Sequence, residues 1–541
     1  MRSEFGLRTI LASLAPRCSR QSWMSRILQL VGSAAVVVGS AGAAYEASAN
    51  DQLKAAIAAA ANSITKDEVT ELVDALADDT FEGRDAGSRG GRAAGTYLVK
   101  KFEDLKLKPI GDQGTYFQNF QYNGVSRNIV GLIEGSDEKL KNEVVVIGAH
   151  YDHVGYGRTG NSFGPLGYIH NGADDNASGT TGLLEIMEAI AELPTPPRRS
   201  VMFALWDAEE HGLIGSKHWV SSPTIPLDRV VFYLNLDMIG RLGKTGVEVI
   251  GSRTMPGMRK SISQLNTDSN LTLDFTYKIK EDSDHHPFFA KGIPFVMYHT
   301  GLHDDYHRPS DDADRINADG VRQLARLSLL TILEVANADQ SPSYRPASVR
   351  EIVVGKQMIE QPAPSTPPRF GMSWNRPEGD KPAWVVTSVT PGSPCEKAGL
   401  KSGDKLLTLS GRPIDDDSKF RLELLAASGT TELTVERAGE AEPVKITVEP
   451  AGSPIRIGIT WREDPAEPQT VLLTSVVPGS AAHQAGLEPR DRIYTLAGKP
   501  FADTNEFRDL ISKLPSPIEL TYERMGKIVS TKLNVLGGEA N

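Results

Sequence analysis

The chain has 541 residues, a formal net charge of −11, 40% hydrophobic residues and 2 cysteines. That length predicts roughly two to four domains, and the acidic balance argues against a nucleic-acid partner, because phosphate binding needs a basic face. Cys18 lies in the N-terminal segment and Cys395 is alone beyond it. The mature chain therefore holds no intrachain disulfide, and an exported protein of this size needs none.

Residues 1–49 read as a targeting segment. Arg2, Arg8, Arg17, Arg20 and Arg26 precede a mainly apolar run over 27–38, and Ala41 and Ala43 fit a small-residue cleavage pattern. The basic region is long for a signal peptide. Met24 is followed at once by Ser-Arg and the apolar run, so the chain starts at either Met1 or Met24. The alternative is a membrane anchor, against which the shortness and the Gly and Ser content of the run argue. The expected location is therefore outside the cytoplasm, periplasmic or secreted.

Residues 50–339 read as one domain. The first part contains an amphipathic helix over 90–107, with Ala94, Tyr97, Leu98, Phe102 and Leu105 on one side. From residue 143 strand and helix signals alternate, which predicts an α/β domain of three layers, a mostly parallel sheet covered by helices on both faces. Val144-Val-Val-Ile-Gly-Ala-His150 is a buried strand that delivers His150, followed by Tyr151, Asp152 and His153. Gly172-Ala-Asp-Asp-Asn-Ala-Ser-Gly179 is a loop entering a helix, with Asp174 and Asp175 side by side. Two adjacent carboxylates repel; a helix dipole offsets this in part and a bound cation much more. Val201-Met-Phe-Ala-Leu-Trp206 delivers Asp207, Glu209 and Glu210, and Val230-Val-Phe-Tyr-Leu-Asn-Leu236 delivers Asp237. His307 follows in Asp304-Asp-Tyr-His-Arg-Pro-Ser-Asp311, and the domain closes with a helix over 319–336. The carboxyl ends of strands in an open α/β sheet are where ligand sites form. Three strands ending in metal-capable residues mark this window as the chemical one.

These blocks, together with Trp206-Asp-Ala-Glu-Glu-His-Gly-Leu-Ile-Gly-Ser216 and Phe81-Glu-Gly-Arg84, resemble the co-catalytic di-zinc aminopeptidases, the family of secreted bacterial leucyl-type aminopeptidases and glutamate carboxypeptidase. The resemblance implies two Zn2+ per chain. Asp174 would bridge them, His150 and Asp237 would complete one site, and Glu210 and His307 the other. It also implies a cis bond between Asp174 and Asp175. Glu209, next to Glu210 but facing the water, is the expected general base. Asp152, two residues after His150, is expected to accept the second ring N–H of that histidine. The Tyr306 phenol is expected to donate to the developing oxyanion, or else only to pack. Asp284, in Ser283-Asp-His-His-Pro287, is placed near the site, either behind a ligand or in contact with substrate. His153, His170, His211, His218, His285, His286, His299 and His303 are read as ordinary structural histidines.

Prolines including Pro362, Pro364, Pro367 and Pro368 make residues 340–368 a linker, long enough for the C-terminal part of the chain to move. Beyond it the chain repeats at an offset of 87: Phe370-Gly-Met matches Ile457-Gly-Ile, and Val386 to Leu400 matches Leu473 to Leu487. Residues 369–450 and 454–541 resemble two PDZ domains, small mixed β/α folds. Phe370, Gly371, Met372, Ile457, Gly458 and Ile459 then form loops that hold a peptide's C-terminal carboxylate. These domains either tether the substrate's far end or only shield the catalytic domain. The expected function is removal of N-terminal residues from peptides. A carboxypeptidase, dipeptidase or glutaminyl cyclase on the same scaffold, and a non-catalytic binding protein working through its PDZ domains, stay open as alternatives.

Overall fold

The computed structural model describes residues 51–364, 367–375 and 383–536; the expected targeting segment at residues 1–49 lies outside them. Residues 51–60 are helical and belong to a unit of their own, and the rest of the chain forms a second. No helix among the described residues is long and apolar enough to cross a membrane.

The N-terminal part of the second unit is built on a nine-stranded sheet. Its strands are β1 (Lys108–Pro109), β2 (Phe117–Gln121), β3 (Val125–Ile133), β4 (Val144–His150), β5 (Ser200–Trp206), β6 (Val230–Leu236), β7 (Val247–Ile250), β8 (Leu273–Phe275) and β9 (Phe295–His299). They run in the order β1-β3-β5-β4-β6-β9-β7-β8, with β2 paired to β3. The centre, β5-β4-β6-β9, is parallel, while β3 and β7 join it antiparallel. The sheet is thus mixed rather than mostly parallel. Residue pattern carries no pairing direction for the short outer strands, which lack the continuous β-branched runs of a strand buried on both faces.

All seven residues of β4 and of β5 are buried. Helices Gly179–Ala191 and Ala318–Asn337 pack on one face, and Ile214–Ser221 and His285–Ala290 on the other. Asn317 caps the long helix by accepting the Gly320 N–H at 3.0 Å. Beneath the second face Trp206, Trp219, Tyr233 and Phe288 form an aromatic cluster. Gly148 makes room for it, since a Cβ there would run into the Tyr233 hydroxyl and the Trp206 indole nitrogen.

Two antiparallel sheets come next along the chain. The first has six strands and packs the helix Asp417–Ala426; the second has five and packs Thr504–Lys513. Arg369 donates to the carbonyls of Leu424, Leu425 and Ala427 at the end of the first helix, and Arg456 to those of Ile511, Ser512 and Leu514 at the end of the second. The same arginine therefore satisfies the orphan carbonyls of the same helix in both copies. Gly371 and Gly458 sit at φ 75° and 82°, where a side chain would strike Ser393 and Ser480. Glycine is required there by this close approach within the fold itself.

The stretch expected to be a mobile linker is partly helical, at Ala347–Val354 and Lys356–Ile359, and it joins a buried ion network that fixes the second small domain to the catalytic one. Arg253 bonds Asp464 at 2.7 and 2.8 Å and Glu351 at 2.6 and 3.0 Å. Arg259 bonds Glu523 at 2.9 and 3.1 Å, and Arg492 bonds Glu360 at 2.6 Å. Glu467 accepts the N–H groups of Arg259 and Lys260, both at 3.0 Å, capping the helix Met258–Leu265 from across the interface. The turn Met525–Gly526 adds a backbone bond from Leu273 of β8 at 2.9 Å. Composition reveals proline but not the tertiary partners of Arg253 and Arg259, which is why the linker reading fails for this half.

Candidate metal centre

Two clusters of ligand atoms meet at the carboxyl ends of β4, β5 and β6. One joins His150, Glu209 and Asp237; the other joins His153, Asp175, Glu210 and His307. In each, the ligand atoms lie within 4.8 Å of one another. Asp175 spans them. Its Oδ1 stands 3.3 Å from His150 Nε2 and its Oδ2 3.1 Å from His307 Nε2. His150 Nε2 is also 3.4 Å from Asp237 Oδ1, and His307 Nε2 3.0 Å from Glu210 Oε2.

The position between the two clusters therefore belongs to Asp175, one residue after Asp174, the residue expected to bridge them. Asp174 Oδ1 instead accepts the Gly240 N–H at 2.6 Å and the Ser178 hydroxyl at 3.0 Å, and its Oδ2 lies 3.1 Å from His303 Nε2. It ties the loop to the end of β6. Adjacent side chains diverge, so only the path of the loop decides which aspartate enters the site. That path breaks helical geometry at Asp175 and Asn176. The backbone N–H groups of Asp174 and Asp175 both donate to Asp311 Oδ2, at 3.0 and 3.1 Å. The cis bond is likewise one residue later than expected, at Asp175–Asn176.

The donors suit a divalent cation. His307 Nε2 is buried and close to two carboxylate oxygens, yet forms no hydrogen bond. The nitrogen–oxygen separations of 3.0 to 3.4 Å are close to the edges of a tetrahedron around an ion with bonds of about 2.0–2.1 Å. The electrostatics agree. Burial opposes ionisation of Asp175, yet the imidazoles of His150 and His307 hold its carboxyl well below the usual range. Burial would lower His307, but Asp175 and Glu210 raise it to about 10. This is a group of carboxylates and imidazoles sharing protons where a cation would replace them.

Arg84 is the fixed positive charge nearby. It is fully buried and donates to the carbonyls of Leu76, Tyr151, Asn171 and Gly172 at 2.6 to 2.9 Å. It thereby joins the segment after His150 to the loop before Asp175. Burial lowers its pKa to about 10, against the pull of Asp175 and Asp152.

Asp152 differs from expectation. The His150 Nδ1–H donates to the Asp152 backbone carbonyl at 3.2 Å, while the carboxylate Oδ1 is 3.8 Å away. That carboxylate faces the β5 end, accepting the N–H of Glu209 at 3.0 Å and of Glu210 at 3.4 Å. The residue that anchors the Asp237 carboxylate at the other end of the site is Ser283. A chain of hydrogen bonds runs from Trp206 Nε1 to the Tyr233 hydroxyl (2.9 Å), on to Asn235 Oδ1 (2.7 Å), from Asn235 Nδ2 to Ser283 Oγ (2.8 Å), and from Ser283 to Asp237 Oδ2 (2.6 Å). Asp284, expected behind a ligand or in contact with substrate, is fully buried close to Glu209 and does not line the cavity, so the structure favours the first of these places; burial pushes its carboxyl up to about 7. One position separates a solvent-facing side chain from a buried one at the start of a helix, and the motif does not fix that phase. His153, read as structural, lies inside the second cluster. Its spacing of three residues from His150 was the available signal.

A cavity of about 390 Å³ opens beside the clusters, lined by His150, Asp175, Glu209, Asp237 and Tyr306, with Ile250, Met297 and Leu302 on its apolar side. Burial, together with Asp284, Glu210 and Asp237, pushes the Glu209 carboxyl well up against the opposing pull of His150. Tyr306 stacks on His307 with ring centroids 3.9 Å apart, and burial beside the carboxylates keeps its phenol protonated. The PDZ-like loops also line cavities, Phe370, Gly371 and Met372 one of about 340 Å³ and Ile457, Gly458 and Ile459 one of about 640 Å³.

A mixed α/β sheet with a two-lobed carboxylate–imidazole cluster at its strand ends, followed by two small antiparallel domains, defines the class of protein. Residues 128–332 match peptidase family M28, and residues 368–448 and 472–524 each match the PDZ domain. The chain carries an M28 peptidase domain followed by two PDZ domains. It is similar to the aminopeptidase YwaD of Bacillus subtilis, 27% identical over 45% of this chain and 50% of that one. It is 28% identical to leupeptin-inactivating enzyme 1 of Streptomyces exfoliatus, over 44% of this chain and 49% of the other. The chain thus spans about half the length of these curated relatives. Among solved structures, the LapA aminopeptidase of Legionella pneumophila is 22% identical, with 52% of this chain and 74% of that chain covered and a TM-score of 0.43.

Proposed function

We propose that this chain is an exported zinc-dependent aminopeptidase that removes N-terminal residues from peptides, with two Zn2+ per chain. The observation that carries the reading is Asp175, whose two oxygens face two separate sets of donors. His150 and Asp237 would hold one ion, Glu210 and His307 the other, with Asp175 between them. When bound, such a pair polarises the scissile carbonyl and lowers the pKa of a water.

The chain's own residues do the rest. Glu209 lines the cavity beside the clusters, where it reaches the substrate's space as a general base must, and burial raises its carboxyl against the pull of His150. It takes a proton from water as the oxygen attacks the carbonyl carbon. It returns that proton to the amine as the peptide C–N bond breaks, releasing the first residue and a shortened peptide. Tyr306 stays protonated and would donate to the carbonyl oxygen as negative charge develops there. Relatives named aminopeptidases support this specificity, and relatives named probable glutamate carboxypeptidases make a carboxypeptidase the second reading. A single-zinc cyclase would not need the full donor set present here.

The PDZ loops supply grooves for peptide C-termini, a means of holding a substrate's far end. The docked second domain equally fits a role in supporting the catalytic domain.

The test is metal content together with turnover of aminoacyl and N-blocked substrates. The wild type should bind two Zn2+ and cleave only unblocked substrates. Glu209→Gln should keep both ions and lose roughly 10²–10⁴-fold in rate. One ion with full activity, or normal turnover in the Gln variant, rejects the mechanism.

A further inference from the structure

His153 is fully buried, and its Nδ1 lies 2.7 Å from Glu210 Oε1. An ionised carboxylate only accepts, so the pairing assigns the proton to this nitrogen. The other Glu210 oxygen, Oε2, is the one 3.0 Å from His307 Nε2. The two oxygens of Glu210 thus face different imidazoles.

His153 also has the position of a metal ligand, since its ligand atom falls within 4.8 Å of those of Asp175, Glu210 and His307. The distances separate the two roles. Two ligands on one tetrahedral ion with bonds of about 2.0–2.2 Å stand roughly 3.3–3.6 Å apart. A gap of 2.7 Å between Nδ1 and Oε1 is too short for that edge and right for a hydrogen bond to a charged acceptor. From Asp175 Oδ2 the same nitrogen is 3.8 Å away.

The ring is held in this orientation. Gly172 backs onto it at φ 56°, and a Cβ there would overlap its Cδ2. The His153 backbone N–H donates to the Arg84 carbonyl at 3.3 Å, and the ring meets His307 edge-on at 5.5 Å.

We infer that His153 is a positioning residue: by donating to Glu210 Oε1 it leaves Oε2 as the single oxygen this glutamate offers a metal. The inference rests on the two-ion reading of the site. It extends that reading by a residue that fixes how one ligand binds and so how tightly that ion is held. Outer partners of this kind are worth about 10–100-fold in metal affinity.

The experiment titrates Zn2+ into metal-free wild type, His153→Leu and His153→Gln, with thermal melts of the metal-free proteins alongside. Wild type should show two binding events. His153→Leu should weaken one of them about 10–100-fold with the other unchanged, and His153→Gln, whose amide can still donate, should recover part of the loss. The metal-free melting temperatures should not track this order. Equal affinities in wild type and His153→Leu, or a loss that follows melting temperature, overturn the inference while leaving the two-ion reading intact. A zinc-loaded crystal structure with His153 nitrogen at bonding distance from the metal also overturns it. A wild type that binds no Zn2+ overturns both.

Discussion

The carboxylate of Asp152 accepts the backbone N–H of Glu209 at 3.0 Å. Asp152 thereby links the two halves of the site: its backbone carbonyl receives the His150 ring proton, and its side chain fixes the segment bearing Glu209 and Glu210. Burial, with Asp207 and Glu210 adding to it, raises its pKa well above the carboxylate range despite His150. Asp152→Asn sets an amide N–H₂ against one of these backbone donors. The expected outcome is a fall in kcat/KM of about 10–100-fold with folding retained, measured on an aminoacyl substrate beside a metal assay. An unchanged rate refutes the assigned role.

Asp174 and Asp175 are neighbours with different work. Asp175→Asn should abolish high-affinity metal binding, since it weakens the group facing both clusters. Asp174→Ala should keep the metals and lower the melting temperature, because it leaves the Gly240 N–H and the Ser178 hydroxyl without their shared acceptor. Metal analysis and thermal melts of the two variants read this directly, and the opposite pattern would return the bridge to Asp174.

Asp464 accepts both terminal nitrogens of Arg253 across the interface between the M28 domain and the second PDZ domain. Asp464→Leu leaves the buried Arg253 guanidinium with Glu351 as its remaining carboxylate, and losing one partner of a buried pair costs up to about 3–5 kcal/mol. Denaturant unfolding should show that loss. Truncation after residue 338 should also destabilise the catalytic domain, because Arg253 and Arg259 lose Asp464, Glu351, Glu360 and Glu523 together. A truncated protein as stable as the full chain would mean that the docking contributes nothing.

Glu185 lies on the helix Gly179–Ala191, where burial and the nearby Glu68 and Glu188 raise its pKa from 4.5 to about 8. A carboxyl with a raised folded pKa contributes stability that is complete below the unfolded value of 4.5 and lost as pH rises through about 8. Glu185→Gln should therefore raise the melting temperature near about pH 9 relative to wild type, and leave the difference small near about pH 4. Melts across that range check the sign, and a gain confined to acid pH contradicts it.

By itself the sequence determined what is local and periodic. The seven residues of β4 and the ends of β6 follow from β-branched runs, the long closing helix from its apolar spacing, and the PDZ pair from an 87-residue offset. His150, Glu209, Glu210 and Asp237 could be read because they end or directly follow buried strands, where side chains gather by construction of an α/β sheet, whereas Asp175 and His307 lie in loops and were legible only through the family resemblance. Tertiary structure alone decided between adjacent positions. Asp175 rather than Asp174 stands between the two clusters, Ser283 holds the Asp237 carboxylate while Asp284 is kept out of the cavity, and the Asp152 side chain turns to Glu209 instead of His150. These choices depend on loop torsions set by distant partners such as Asp311 and Arg84. The docking of the second PDZ domain was invisible for the same reason. Arg253 and Asp464 are 211 residues apart, and a buried ion pair leaves no pattern in either stretch of sequence.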